Sequence, residues 1–476
     1  MSRGYTHTWH DTLALAFIAA ALGLFSAYLA SLVPPAVFRM DDNFFGSDIN
    51  RVVGHMTDPA ARRSRIWVHP LFLVLTLPLG LGLMKLSFSD LQACLMLVSA
   101  SASLTGVFLY MACRNLGLAI RHAVVIVALF ASSSAFMFWW SIPESFPFAG
   151  AALAFLYFLA SKPAAVEPPK WSLLQTLSML ALLILAMIGL FTYLIPNGLE
   201  VALASLAVLS AIAAQKVPGA IAWIVAGVLS LGITMSNWAA ALIATFLCRK
   251  LRDFVAITAI TFLLSCALAV LQQRWIISTP IFYNSLKLSK SQGVQSELGP
   301  RKGLSTPVLE HISFFTMVFP KPSQRVETQV NKLVVHSPPN WKLFEGERGW
   351  LRGAWLGLLC LGLLGALRRG YRAFGLSLTG FIAFNWVLHS QYGDDIFLYA
   401  THFLIPLSLI PALAMTGKYR DVVCVMCAAF ALAAFPVNLS TFRETAKLFQ
   451  DFYPSAPAAA AVASPDAATQ ASAPAS

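Results

Sequence analysis

Charge is what this chain lacks: only 11% of its 476 residues are Asp, Glu, Lys or Arg, whereas 58% are hydrophobic. Mean hydropathy is +0.71. So few polar groups cannot cover a water-facing surface, so lipid is the main solvent and a water-soluble fold is excluded. Glycine-rich phosphate loops, HExxH and GxSxG strings and calcium-type loops are also missing, which sets aside nucleotide hydrolysis and the common hydrolase mechanisms. Cysteine is sparse. All seven (Cys94, Cys113, Cys248, Cys266, Cys360, Cys424, Cys427) lie in or at the ends of hydrophobic segments and read as small buried apolar residues. The Cys424/Cys427 spacing falls inside a lipid-crossing run, so no redox or metal role is assigned to it.

What is present is a succession of long apolar runs. Candidate helices fall at 12–34, 91–112, 122–140, 146–160, 172–194, 198–215, 218–234, 237–248, 254–273, 350–367, 373–388, 396–416 and 421–437. This predicts an all-α polytopic integral membrane protein with about 13 spans, since a crossing needs roughly 20 apolar residues. The segment up to Phe38 has the outline of a signal sequence, but its long apolar run ends at Pro34-Pro35 without a clear cleavage site and is expected to stay as the first span. The net charge of +12 reads as loop cations beside anionic lipid head groups; with no soluble basic domain, nucleic acid is not an expected partner.

Residues 69–86 decide the topology. If the amino terminus is cytoplasmic and this proline-containing piece dips into the membrane without crossing, Arg114, Arg121, Lys162, Lys216, Arg249, Arg368 and Lys418 all fall inside. An external amino terminus with a crossing 69–86 segment places the same loops inside. Charge counting mildly prefers the second; the first is adopted on the family resemblance given below and puts 35–90 outside, while 275–349 is outside in both. Within 35–90, Ile49, Val52, Val53 and Met56 recur at helical spacing, predicting a short amphipathic surface helix with Asp48 as N-cap and Pro59 beyond its end. Residues 1–437 form the membrane domain. A C-terminal segment, 438–476, becomes Ala/Pro/Ser-rich and disordered from about Tyr453.

The densest chemistry lies just past the first span, in FRMDDNFFGSDINRVVGHMTDP. A carboxylate at a membrane surface can take a proton from an alcohol or amine, so Asp41 and Asp42 are the candidate catalytic residues. Adjacent side chains point in different directions, so the two cannot act identically; Asp41 is favoured as base with Asp42 bracing, and the reverse stays open. A bound phosphate would need cations, for which Arg51, Arg62, Arg63 and Arg65 are nearest in sequence and Lys287, Lys290 and Arg301 lie in the late loop. Glu144 in SIPESFPF, Asn237 in TMSNW, and His389, Tyr392 and Asp394 in the polar cluster HSQYGDDIFLY, which also holds Gln391 and Asp395, are further binding candidates. Asp41, Asp42 and Asp48 offer oxygens for a possible divalent cation, but no spacing identifies a metal site.

A first helix, a double acid, an amphipathic surface helix, an HP-apolar segment, many spans and a late external loop together resemble the GT-C class of membrane glycosyltransferases. The protein O-mannosyltransferase and aminoarabinose-transferase type is the nearest in pattern. The matching residues are Asp41-Asp42, His69-Pro70, and Arg114 with Gly117. The chain departs from those relatives in carrying DDNFF where an acid is often followed by a tyrosine, and Ser141-Ile142-Pro143-Glu144-Ser145 where a Thr-Asp pair is frequent.

The resemblance implies a GT-C-like bundle that moves a sugar from a polyprenyl-phosphate carrier to an envelope glycan, lipid or protein. Transfer would proceed with inversion on the extracytoplasmic face, as of a bacterial inner membrane, with membrane lipids and the lipid-linked donor as partners and His69 in the binding set. A phosphate leaves without needing a proton, so one carboxylate base suffices, unlike the paired acids of glycoside hydrolases. Two other readings stay open. One is an O-antigen-type oligosaccharide ligase or polymerase, for which Arg301, His311, Arg325 and His336 would matter. The other is a transporter or flippase, against which the hydropathy pattern shows no repeated halves.

Overall fold

The computed structural model describes residues 7–61, 69–162, 219–275, 306–338, 348–368, 370–390 and 395–454. In chain order its helices are α1 (Trp9–Leu32), α2 (Ile49–Thr57), α3 (Phe72–Lys85), α4 (Asp90–Asn115), α5 (Ile120–Ala131), α6 (Ser134–Trp139), α7 (Phe146–Ala160), α8 (Gly219–Ile233), α9 (Met235–Cys248), α10 (Leu251–Trp275), α11 (Thr306–Glu310), α12 (Gly349–Ala366), α13 (Arg372–His389), α14 (Ala400–Ala414) and α15 (Arg420–Phe452). One antiparallel hairpin, β1 (Ser323–Glu327) and β2 (Lys332–His336), interrupts them. Six helical stretches are long and apolar enough to cross a membrane, and five shorter apolar helices pack among them. The chain is an all-α polytopic membrane protein, with one hairpin among the described residues. The expected spans 172–194 and 198–215 lie outside the described residues.

Backbone hydrogen bonds close within each helix, which is why these runs are helical in lipid. Small residues then let them approach. A Cβ on Gly106 of α4 would meet Leu22 Cδ1 of α1 at 2.1 Å, and one on Gly362 of α12 would meet the Ile410 carbonyl of α14 at 2.4 Å. The α1–α4 pair is antiparallel: Ser103 Oγ donates to the Ala19 carbonyl at 2.6 Å, and Arg114 Nε donates to Asp11 Oδ1 at 2.8 Å. Asp11, fully buried, also accepts from Tyr110 Oη at 2.6 Å and Thr8 Oγ1 at 2.6 Å. These bonds staple the start of α1 to the end of α4.

Three expectations are corrected. The run 122–140 is two helices, because Ser133 caps α6: its hydroxyl accepts from Phe136 N at 3.2 Å and donates to the Phe130 carbonyl at 2.6 Å. The amides thereby freed bind the late loop. Ser134 N donates to the Met317 carbonyl at 3.2 Å and Ala135 N to Thr316 at 3.1 Å, while Asn438 Nδ2 clamps the Ser132 and Met317 carbonyls at 2.8 and 2.7 Å. Second, the last span does not stop at 437. α15 continues to Phe452 with Phe442, Ala446 and Phe449 buried, so residues 438–452 belong to the packed body. Third, Asp48 precedes α2 but makes no capping bond; its carboxylate pairs with the Arg51 guanidinium.

Candidate active site

The acidic loop is built before any substrate contacts it. Phe44 and Phe45 are buried and act as pins: the Phe45 ring lies 5.0 Å from Phe397, 5.4 Å from Phe138 and 5.4 Å from Phe319, and Phe44 lies 6.0 Å from Phe449. Aromatic pairs at these separations add about 0.5–1.5 kcal/mol each beyond area burial. The late hairpin then adds a rail along the loop: Phe45 N donates to the Val335 carbonyl and Val335 N to the Asn43 carbonyl, both at 2.9 Å. Between these bonds Asp42 and Phe45 take φ of 59° and 54°. Non-glycine residues adopt that left-handed region only when their surroundings hold them there.

The two aspartates have different surroundings. Asp41 is half-buried, and its Oδ1 accepts from Arg51 N at 3.0 Å, so Asp41 supplies the carboxylate that Asp48 does not at the start of α2. Asp42 is exposed. Its backbone N–H donates to the Ser47 carbonyl at 2.7 Å, and its carboxylate has no partner among the described residues.

Glu144, buried at the start of the turn into α7, reaches across to this loop. Its Oε1 accepts from Asp48 N at 2.9 Å and its Oε2 from Ser145 N at 2.6 Å. The Ser145 hydroxyl lies 3.2 Å from Glu144 Oε2 and 3.4 Å from His69 Nε2. His69 Nδ1 sits 2.7 Å from the Ile233 carbonyl, an acceptor only, so Nδ1 carries the proton and Nε2 faces the serine. The following backbone is tied down as well: Leu71 N donates to the Gly232 carbonyl at 2.7 Å, and Gln272 Nε2 donates to the Pro70 carbonyl at 3.0 Å. Asp41, Asp48, Glu144, Ser145 and His69 thus form one continuous polar path from the first loop to the bundle interior.

Other expected residues are placed differently. Asn237, buried in the first turn of α9 just past the joint with α8, donates Nδ2 to the Ala149 carbonyl of α7 at 3.1 Å. His389 is buried at the end of α13 and stacks on Tyr399 at 4.3 Å. Arg62, Arg63, Arg65, Lys287, Lys290, Arg301, Tyr392 and Asp394 lie outside the described residues.

Asp395 of the HSQYGDDIFLY cluster, and His402, which sequence reasoning missed, also have defined places here. Asp395 fastens the hairpin to the bundle: Ser337 donates its hydroxyl at 2.6 Å and its amide at 2.9 Å to that carboxylate, and Phe397 N donates at 3.1 Å. Burial pushes the Asp395 carboxyl up, and the Ser337 and Phe397 bonds and nearby His336 work against that rise. His402 is enclosed in α14 beside Phe146. Its only signal in the sequence is its place inside an apolar run, where an ionisable side chain is rare.

Among the described residues, no three His, Cys, Asp or Glu side chains converge closely enough to hold a metal ion. Of the acids near the loop, Asp41 and Glu144 accept from backbone amides and Asp48 pairs with Arg51.

No family model and no curated protein matches the chain. Among solved structures, the crystal structure of the Archaeoglobus fulgidus oligosaccharyltransferase, a complex with zinc and sulfate, is similar over 90% of this chain and 53% of its own, at 13% identity and a TM-score of 0.39. This chain spans about half the length of that protein.

Proposed function

We propose that the protein is a membrane glycosyltransferase of the GT-C type that moves a sugar from a polyprenyl-phosphate carrier to a hydroxyl or amine of an envelope glycan, lipid or protein on the extracytoplasmic face. The observation that carries this reading is an exposed carboxylate, Asp42, on a loop fixed from three sides by the Phe44/Phe45 pins, the β2 rail and Glu144. Preorganisation of this kind lets one group meet a reacting atom without losing freedom at the moment of reaction.

Asp42 acts as the base toward the acceptor, and Asp41 holds the start of α2. Exposure and the lack of a partner among the described residues support this order, the reverse of the one favoured on sequence alone. As the acceptor oxygen attacks the anomeric carbon from the face opposite the phosphate, its proton passes to Asp42, the C–O bond to phosphate breaks, and the configuration inverts. The departing phosphate needs cations, for which Arg51 and the arginines and lysines of the two outer loops are the candidates.

Transfer from a labelled lipid-linked sugar in membranes tests the reading. Asp42→Asn is expected to abolish transfer while Asp41→Asn slows it. If both variants keep full activity and His311→Ala or Arg325→Ala loses it, the ligase reading replaces this one.

A further inference from the structure

The chain leaves the packed body beside the acidic loop. Tyr453, at the end of α15, is fastened to the strand that carries the rail: Leu333 N donates to Tyr453 Oη at 3.0 Å, two residues before Val335 bonds Asn43 and Phe45. One turn earlier Phe449 meets Phe44 at 6.0 Å, and Gln450 Nε2 donates to the Leu32 carbonyl at the end of α1 at 3.3 Å. Pro454 is then exposed. Residues 455–476 therefore start on the same side of the membrane as Asp42. Followed through Leu333, Val335 and Asn43, Tyr453 lies within about 25 Å of Asp42, at roughly 3.3 Å per strand residue and 3.8 Å per Cα step. Ten residues of extended chain cover about 33 Å. Ser464, ten past Pro454, is thus within reach of Asp42, and Thr469, Ser472 and Ser476 lie further along.

The composition of this segment suits an acceptor. SAPAAAAVASPDAATQASAPAS carries hydroxyls among alanine and proline, with no aromatic, lysine or arginine and one acid, Asp466. Ser464 and Ser472 are flanked in the chain by alanine or proline alone, so little bulk stands next to either hydroxyl. Hydroxyls spaced in this way are the composition of stalks that carry O-linked sugars. A tethered acceptor also meets the base at an effective concentration of about millimolar, without a diffusional encounter.

Resting on the glycosyl-transfer reading, we propose that the protein glycosylates its own C-terminal segment, with the hydroxyls of Ser464, Thr469, Ser472 and Ser476 as acceptors in cis. The hydroxyl oxygen attacks the anomeric carbon of the carrier-linked sugar and its proton passes to Asp42. The bond from that carbon to the phosphate oxygen breaks, and polyprenyl phosphate leaves with the electron pair. The product is an O-linked sugar on Ser or Thr, and Asp42 returns its proton to water.

The test purifies the full-length protein from its own cells and cuts it with trypsin after Lys447, which releases 448–476 as one peptide. Its mass is expected to exceed that of the bare peptide by whole sugar residues, located by fragmentation at Ser464, Thr469, Ser472 or Ser476. Asp42→Asn should return the bare peptide. Alanine at all four hydroxyl positions together should remove the added mass and leave the melting temperature at the wild-type value. Kinetics are followed on protein synthesised cell-free, which starts bare, with labelled polyprenyl-phosphate glucose, mannose, galactose or arabinose at fixed concentration. The fraction labelled per minute should stay constant when the protein is diluted about 100-fold, as a tethered reaction requires.

The proposal is overturned if the wild-type peptide is bare while the same protein transfers sugar to an added acceptor, or if Asp42→Asn carries the wild-type mass. It is also overturned if the labelled fraction falls in proportion to dilution, which makes the segment an acceptor in trans. Should Asp42→Asn fail to fold, the dilution result decides. A wild type whose peptide is bare and which transfers none of the four sugars to any acceptor sinks the glycosyltransferase reading itself, and this proposal with it.

Discussion

The two ends of α1 hold buried acids in opposite ways. Near its start, Asp11 is met by the side chains of Arg114 and Tyr110, which join α1 to α4 and bring a cation to offset its charge, and by Thr8, which caps α1 itself. Beyond its far end, roughly 36 Å away at 1.5 Å per residue, the carboxylates of Asp41 and Glu144 are met by the backbone N–H groups of Arg51, Asp48 and Ser145. Amides fix where a carboxylate points without adding a full positive charge beside it. One end is a fastener, while the other is a positioned set of acids that still has Asp42 to offer to something outside the protein.

Breaking the positioned end should give the largest effect. Asp42→Asn keeps size and backbone and is expected to lower transfer by about 100- to 10,000-fold, the range for loss of a general base, with the melting temperature unchanged. A variant retaining more than a tenth of wild-type transfer would place the base elsewhere. At the fastener the outcome should be reversed. Asp11→Ala removes the carboxylate that Arg114 and Tyr110 donate to and should cost about 3–5 kcal/mol of stability. The surviving folded fraction should transfer sugar at the wild-type rate per molecule.

Much of this contrast could be read in the sequence, and what could not has identifiable causes. Apolar runs dictate helices because the bilayer leaves backbone groups no other partner. The acidic string, His69 and Glu144 stood out as polar groups at the edges of such runs, and the structure joins them in one path. The break at Ser132-Ser133 was hidden because it uses neither proline nor glycine, only a serine hydroxyl replacing one helical bond. The extension of α15 was hidden by its polar residues; Asn438, Thr441 and Thr445 face inward, and only the spacing of Phe442, Ala446 and Phe449 marks a buried face. The rail from Val335 to Asn43 and Phe45 joins positions far apart in the chain through backbone atoms, which carry no residue-specific signal.

A smaller effect is expected where the late loop is moored. Asn438 Nδ2 satisfies two carbonyls, one on each side of the joint between the α5–α6 break and the late segment. Asn438→Ala should cost about 1–3 kcal/mol by leaving buried acceptors unpaired. Because the same segment leads into the hairpin behind Asp42, transfer should fall along with the melting temperature, unlike in Asp11→Ala. Equal transfer per folded molecule in the two variants would mean that the hairpin does not support the acidic loop.

The smallest effect concerns pH and the same mooring. His311, in the π-helical turn His311–Phe315, stacks on Phe315 at 4.0 Å, and burial lowers its pKa to about 4 from an ordinary 6.5. A lowered folded-state value means that the folded chain resists protonation more than the unfolded chain does. The corresponding stability is therefore whole above pH 6.5 and is lost as pH falls through about 4. Asp395 works in the opposite sense: burial raises its carboxyl, so its contribution is whole at low pH and declines as pH rises. Comparing the wild type with His311→Phe cancels the aspartate, since both carry it. Melting temperatures measured from pH 7.5 to 4 should fall more steeply for the wild type below 6.5, with the difference widening toward 4. Parallel curves would show that the late segment stays docked with a charged imidazole, and that burial of this histidine does not hold the hairpin against the acidic loop.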